Sequence, residues 1–264
     1  MTTAVIGAPH IEDVLSIVSV PECRAAVVAD LDVAGLYLPA GPGPEPIAGD
    51  FYDVLPLVDG QVGLVLGDVT GHGIAAVRAM QQLRYAARVY AAADSAPASV
   101  LARLDAFVDR ADGEALATLW YGLYVPATGS LTYASAGHPP PARHTHHEGA
   151  ALLAVADAPP LGTGLPHPPA REHATVLPPG AVLVAYSDGL VERRGTDFGE
   201  QLDDLARLVA RVCDPARDVT PEQIAAEIMQ VLVPDPAGAD DDICLLVVRR
   251  DGTAAPPIPR QPAS

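Results

Sequence analysis

The chain has 264 residues, with 33 acidic side chains against 16 basic ones and a formal net charge of −17. That balance argues against nucleic acid and anionic membranes as partners, and a solvated acidic surface is its simplest meaning. Hydrophobic residues make up 49%, enough for a sizeable core in one large domain. Three separated cysteines (Cys23, Cys213 and Cys244) form no CxxC pair, which suits a reducing compartment and argues against a disulfide framework. The N-terminal stretch carries Glu12 and Asp13 without a basic segment, and no apolar run reaches the ~18 residues of a membrane-spanning helix. A soluble cytoplasmic protein is expected.

Residues 1–24 read as an N-terminal extension with a short amphipathic helix over Ile11–Val18, and residues 25–38 as strand material. Ala40-Gly-Pro-Gly-Pro-Glu-Pro46 is a loop, because alternating proline and glycine supports no regular element. Two apolar arms then flank Asp59-Gly60, and Asp-Gly between apolar runs is a strong hairpin signal, since a type I′ turn needs positive φ at both central residues. After Gly71-His-Gly73 the period changes. Ile74–Ala93 is rich in Ala, Leu, Arg and Gln and predicts a helix of about five turns, followed by a second over Ser99–Arg110 with Pro97 in its first turn.

Strands are expected at Leu116–Val125 and Leu131–Ala136 across Pro126–Gly129, with weaker ones at Ala142–Thr145 and Ala151–Val155. Pro159–Pro169 is a loop, and Ala174–Leu177 with Ala181–Ser187 predicts another hairpin across Pro178-Pro-Gly180. Leu202–Val212 is helical, and Thr220-Pro-Glu-Gln223 is a capping box opening a helix to about Val233. Ile243–Val248 is the last strand, and residues 251–264 are polar, Pro-rich and expected to be disordered. Strands joined by tight turns and grouped helices predict one α+β domain over residues 25–250 rather than alternating βαβ units.

Aspartates recur at strand ends: Asp50 and Asp68 on the two arms of the first hairpin, Asp188 after Val182–Ser187, and Asp240-Asp-Asp242 before the last strand. With Asp59-Gly60 as the turn, Asp50 is expected to face Val69 and Asp68 to face Phe51, so the two carboxylates become diagonal neighbours. Like charges ~5 Å apart repel by about 3 kcal/mol at an effective dielectric of about 20, so such a pair calls for a cation. One aspartate at a strand end is an ordinary turn residue, and Asp59 is read that way. Four, with glycines beside Asp68 and Asp188 that let backbone approach a ligand, suggest a site. Asp68, Asp188 and the acid before the last strand would share one sheet edge only if that strand runs antiparallel to the others.

Ala48-Gly-Asp-Phe-Tyr-Asp53, Gly67-Asp-Val-Thr-Gly-His-Gly73, Ala134-Ser-Ala-Gly-His-Pro-Pro-Pro141, Tyr186-Ser-Asp-Gly189 and Asp241-Asp-Ile-Cys-Leu245 resemble, in unbroken order, the successive motifs of the metal-dependent protein phosphatases (PPM family), and within them the bacterial SpoIIE-like serine phosphatases. The resemblance covers about residues 25–249. It implies a four-layer α-β-β-α sandwich with two mostly antiparallel sheets and two Mn²⁺ or Mg²⁺ ions at one edge. By motif match, Asp68 would bridge both ions, the Val69 carbonyl would ligate one, Asp50 would bind on one side, and Asp188 and Asp241 would hold the other ion. Asp242 and Asp240 are second choices for the last ligand. Ala48 and His72 stand where the branch often has Gly and Lys, and Ser187 where it often has Thr.

An all-oxygen ligand set selects hard cations rather than Zn²⁺, and two such ions ~3.5–4 Å apart lower the pKa of a bridging water towards 7. The resemblance therefore implies attack of a metal-bridging hydroxide on phosphoserine or phosphothreonine of a regulatory protein, an anti-sigma factor antagonist being the expected substrate. His72, on the glycine loop beside Asp68, is a candidate for protonating the leaving oxygen, set against an exposed loop residue at a helix N-terminus. His138 is expected to brace its loop by hydrogen bonds, and His144, His146, His147 and Glu148 to form a solvated strand-turn edge. Activation is expected to come from a regulatory partner or from homodimerisation. Two competing readings are a catalytically inactive phosphatase-like metal- or protein-binding regulatory module and a hydrolase of small phosphorylated molecules.

Overall fold

A computed structural model describes residues 24–40, 49–71, 73–110, 116–154, 156–193, 195–214, 217–239 and 241–252. The helix expected over 11–18, Cys23, His72, Asp240 and residues 253–264 of the expected tail lie outside them. Among the described residues, eleven strands and four α-helices run in the order β1 (Arg24–Val28), β2 (Leu31–Leu38), β3 (Phe51–Pro56), β4 (Val62–Val69), α1 (Gly73–Ala93), α2 (Pro97–Val108), β5 (Ala117–Val125), β6 (Ser130–Ala136), β7 (Ala142–Thr145), β8 (Gly149–Leu152), β9 (His173–Val176), β10 (Val182–Tyr186), α3 (Phe198–Val212), α4 (Pro221–Leu232) and β11 (Ile243–Arg250). One sheet has the order β1-β2-β11-β10-β7-β8, the other β3-β4-β5-β6-β9, and every ladder is antiparallel.

Alternation along the strands builds three apolar layers. Leu64, Leu66 and Trp120 of the five-stranded sheet meet Leu183, Ala185 and Leu246 of the six-stranded sheet between the two. On the outer face of the five-stranded sheet, Val65, Leu119 and Tyr121 pack on Leu83 and Ala87 of α1 and Leu101 and Leu104 of α2. On the other outside face, Val184 and Leu245 pack on Leu205 and Val209 of α3 and Ile224 and Ile228 of α4. This is the α-β-β-α sandwich the motifs imply. β10 and β11 are buried on both faces, hence their unbroken apolar runs. The capping box is present: Thr220 Oγ1 accepts from Gln223 N and Gln223 Oε1 from Thr220 N. No described helix is long and apolar enough to cross a membrane.

The structure sharpens or corrects the expected strand pairing at three places. The strand material over residues 25–38 is two strands of a hairpin, turning at Ala29 (φ 57°) and Asp30. The stretch 174–187 is not a hairpin: β9 pairs with β6 in one sheet and β10 with β7 and β11 in the other, so Pro178-Pro-Gly180 carries the chain between sheets. β10 is buried along its whole length in the middle of its sheet, whereas β9 is half-exposed at the edge of the other.

The third correction is the register of the first hairpin. Asp59 (φ 56°) and Gly60 (φ 72°) do make the positive-φ turn, closed by Gln61 N donating to Val58 O at 3.2 Å. Leu57 N also donates to Gln61 O at 2.8 Å, so Val58 is an extra residue in its arm, as in a β-bulge. The ladder is shifted by one, with Phe51 opposite Gly67 and Tyr52 opposite Leu66.

Candidate metal centre

The shifted register sets the site. Val69 N donates to Gly49 O at 3.2 Å, which continues the β3–β4 ladder past its last named pair. Asp50 therefore faces Asp68 directly, not Val69, and the expected diagonal pair becomes a direct one. Tyr52, Val54, Leu64 and Leu66 belong to the layer between the sheets. Period-two alternation carries Asp50 and Asp68 onto that same inner face, at the open end of the sandwich.

The opposite wall comes from the six-stranded sheet. β10 and β11 are antiparallel with Tyr186 opposite Leu245, so Asp188 just after β10 and Asp241 and Asp242 just before β11 arrive at one end. The four acids thus come from the ends of two facing sheets rather than from one sheet edge. A Cβ on Gly189 would lie 2.2 Å from Asp242 O and 3.2 Å from Asp241 Cβ, so glycine is what lets the two chain segments touch. A Cβ on Gly49 would lie 2.0 Å from Val69 O, which brings the Val69 carbonyl hard against the backbone beside Asp50.

The electrostatics report the crowding. Burial first, then the Asp68 charge, pushes the Asp50 carboxyl well above its ordinary range, while a hydrogen bond from Ser187 opposes the shift. Burial, then Asp188, raises Asp68 to about 6. Burial, then Asp241, raises Asp188. Asp50 is 5% exposed, and its Oδ2 is buried without a hydrogen-bond partner. A buried carboxylate oxygen with no donor, facing a second carboxylate, is the environment a cation relieves. All donors are oxygen, which fits a hard divalent ion. Among the described residues, no three Asp, Glu, His or Cys side chains are drawn around one point as a finished ligand shell.

The last acids separate by their bonds. Asp242 Oδ1 accepts from Ala40 N at 2.7 Å, and the Gly49 backbone also holds this carboxylate, so Asp242 ties down both ends of the loop between β2 and β3. Asp241 is exposed, accepts only from Asp242 N at 2.8 Å among the bonds of the described residues, and is close enough to raise Asp68 and Asp188.

His138 sits in the loop after β6 and is buried. Its Nδ1 meets Thr118 Oγ1 at 2.7 Å, and Ser135 Oγ donates to its carbonyl at 3.1 Å. Thr118 is paired with Asp68, so the histidine braces the strand beside the site. Burial drives its pKa down to about 3 and keeps the ring neutral. His144 is buried, contrary to the expected solvated edge, whereas His146, His147 and Glu148 are exposed. β7 faces the α3 layer, which covers His144.

Two groups beside the site escape sequence reading. Ser187 is fully buried; its Oγ accepts from Cys244 N at 2.8 Å and its hydroxyl serves Asp50, linking the sheets. Asp53, on the outer face of β3, is 5% exposed and is gripped by Arg84 and Arg88 of α1. The available signal is that α1 carries three arginines and no acid, so its charges need partners elsewhere.

The family model described as Stage II sporulation protein E (SpoIIE) matches residues 58–251, well over half of the chain. The phosphoserine phosphatase RsbU of Bacillus subtilis (strain 168) is 25% identical over 222 residues, covering 83% of this chain and 63% of its own length. The crystal structure of the RsbU and RsbW domains of Rv1364c from Mycobacterium tuberculosis superposes with a TM-score of 0.74 at 31% identity, over 90% of this chain and 62% of that one. The PP2C phosphatase domain and regulatory fragment of SpoIIE from Bacillus subtilis shares the fold, with a TM-score of 0.68 at 15% identity over 88% of this chain and 63% of that one. The chain thus spans less than two thirds of each of these relatives.

Proposed function

Since this chain belongs to the SpoIIE family of metal-dependent protein phosphatases, we propose that it hydrolyses phosphoserine or phosphothreonine on a regulatory protein, with an anti-sigma factor antagonist as the substrate class. The carrying observation is Asp50 opposite Asp68 on one wall, with Asp188 and Asp241 opposite them at the same end of the sandwich. On this reading Asp50, Asp68, the Val69 carbonyl, Asp188 and Asp241 hold two Mn²⁺ or Mg²⁺ ions. Bound there, the ions would supply positive charge for the phosphoryl oxygens and acidity for the attacking water.

The chain's own groups do the positioning. The Ser187 hydroxyl donates to Asp50 and favours its ionised form against the burial that raises it. Asp242 fixes Ala40 and Gly49, and so the approach to Asp50. His138, held neutral by burial, braces Thr118 and the strand carrying Asp68 and takes no part in proton transfer near neutral pH. Cys244 is buried, and burial, with Asp50 next, raises its thiol far above the usual range, so it is no nucleophile.

The test is hydrolysis of p-nitrophenyl phosphate and of a phosphorylated anti-sigma factor antagonist from the same organism, with and without Mn²⁺. Metal-dependent release of phosphate is expected, together with loss of activity in folded Asp68→Asn and Asp188→Asn proteins. Full activity in both variants would sink the two-ion assignment. Calorimetric metal binding with no hydrolysis of any phosphoester would favour an inactive binding module. A preference for small phosphoesters over phosphoproteins would move the substrate class.

A further inference from the structure

We propose that the Tyr37 hydroxyl, on the wall opposite Asp50, donates a hydrogen bond to a non-bridging oxygen of the substrate's phosphoryl group. This rests on the proposed function and adds to it a contact made by the protein itself. Two strands set the place of the side chain. On β2, Leu36 and Leu38 belong to the outer layer under the helices, while Tyr37 packs against the layer between the sheets. Tyr52 of β3 lies across Gly35 of β2, so closely that a Cβ on Gly35 would fall 2.1 Å from its ring. β2 runs towards the metal-binding end, since Leu38 pairs with Ile243 at the start of β11, and β3 runs away from that end. Two residues nearer the end on the same two faces stand Tyr37 and Asp50. Tyr37 also pairs with Cys244, whose N donates to Ser187 Oγ, the group that bonds Asp50.

The phenol therefore stands within range of acids from both walls. Burial first, then Asp242 and Asp50, raises it above its ordinary range, so it remains a neutral donor. Even in that company Tyr37 makes no hydrogen bond to another described residue, and it is only half-buried. Other side-chain donors nearby are committed. Ser187 serves Asp50, Thr70 Oγ1 donates to Leu116 O at 3.0 Å, and Arg193, just past Asp188, reaches away to Leu232 O at 2.8 Å. The chain has no lysine, and no arginine is among the groups that most strongly shift Asp50, Asp68, Asp188 or Asp242. A phosphoryl oxygen turned towards β2 meets this hydroxyl instead of a carboxylate. A neutral donor suits the place, because a guanidinium there would pair with the acids and compete with the cations they are to hold.

Tyr37→Phe removes the oxygen and keeps the ring. Melting in EDTA and Mn²⁺ affinity by calorimetry are expected at wild-type values, since the hydroxyl holds neither the fold nor a proposed ligand. With Mn²⁺ present, inorganic phosphate is expected to bind about tenfold or more weakly, the loss of one hydrogen bond to a charged group. KM is expected to rise by the same factor for p-nitrophenyl phosphate and for the phosphoprotein, because both present the same phosphoryl group. Weaker Mn²⁺ binding with phosphate affinity unchanged would overturn the proposal and make Tyr37 a support for the metal ligands. A rise in KM for the phosphoprotein alone would overturn it as well, placing the contact on the partner's surface. Wild-type values throughout, with hydrolysis intact, would remove Tyr37 from the site and leave the proposed function standing. A wild-type protein that binds Mn²⁺ but neither binds phosphate nor hydrolyses any phosphoester would overturn the proposed function, and this proposal with it.

Discussion

Asp50 and Asp68 stand directly opposite each other across the β3–β4 ladder, because one extra residue at Val58 shifts the hairpin register. Both carboxyl groups titrate above their ordinary value of 3.8, Asp68 at about 6. The folded state therefore holds more protons than the unfolded chain between about pH 4 and 6. The pair costs nothing below that window, and stability is lost as pH rises through it.

It follows that Asp50→Asn stabilises the metal-free protein at neutral pH while removing metal binding. The gain is roughly 1–3 kcal/mol, or about 2–4 °C in Tm per kcal/mol for a chain of this size. Melting in EDTA at pH 7.5, beside Mn²⁺ calorimetry, reads both effects. A fall in Tm would contradict the repulsion.

Gly49→Ala is expected to damage the site through the backbone alone. The new Cβ would start 2.0 Å from Val69 O, with no flexible side chain to yield. The predicted cost is roughly 1–3 kcal/mol, with Mn²⁺ affinity falling although no proposed carboxylate has changed. Urea unfolding and metal calorimetry check this.

His138 gives acid sensitivity of the opposite sign. Its folded pKa of about 3 lies below the ordinary 6.5, so the unfolded chain binds the proton first. Stability is fully present above pH 6.5 and falls as pH drops from there towards 3, by up to about 1.4 kcal/mol per pH unit for this one group. In His138→Asn that part of the acid slope disappears, as unfolding midpoints measured from pH 7 to 4 would show.

Asp30 provides the control at the far end of the sandwich. Its carboxylate takes bonds from Tyr124 OH at 3.0 Å and Arg250 Nε at 2.9 Å, where β2 begins and β11 ends. Asp30→Asn strips a buried pair of one partner and is expected to cost roughly 3 kcal/mol. Mn²⁺ affinity stays at the wild-type value, which separates loss of stability from loss of the site.

The sequence by itself determined the elements and the ingredients. Helix periodicity announced α1 and α2, and the Thr220–Gln223 capping box and the Asp59-Gly60 turn are local chemistry that the fold keeps. Aspartates at strand ends marked the candidate site because ordinary turns account for one such residue better than for four. Tertiary structure decided partners and register. The Pro178–Gly180 turn is compatible with a hairpin, and only the tertiary pairing sends fully buried β10 to β7 and β11 and half-exposed β9 to the edge beside β6. A one-residue bulge adds no pattern that can be read along the chain, yet it turns Asp50 from a diagonal neighbour of Asp68 into its facing partner. The grip of Arg84 and Arg88 on Asp53 was hidden because these residues lie more than thirty positions apart, and only the packing of α1 on β3 brings them together.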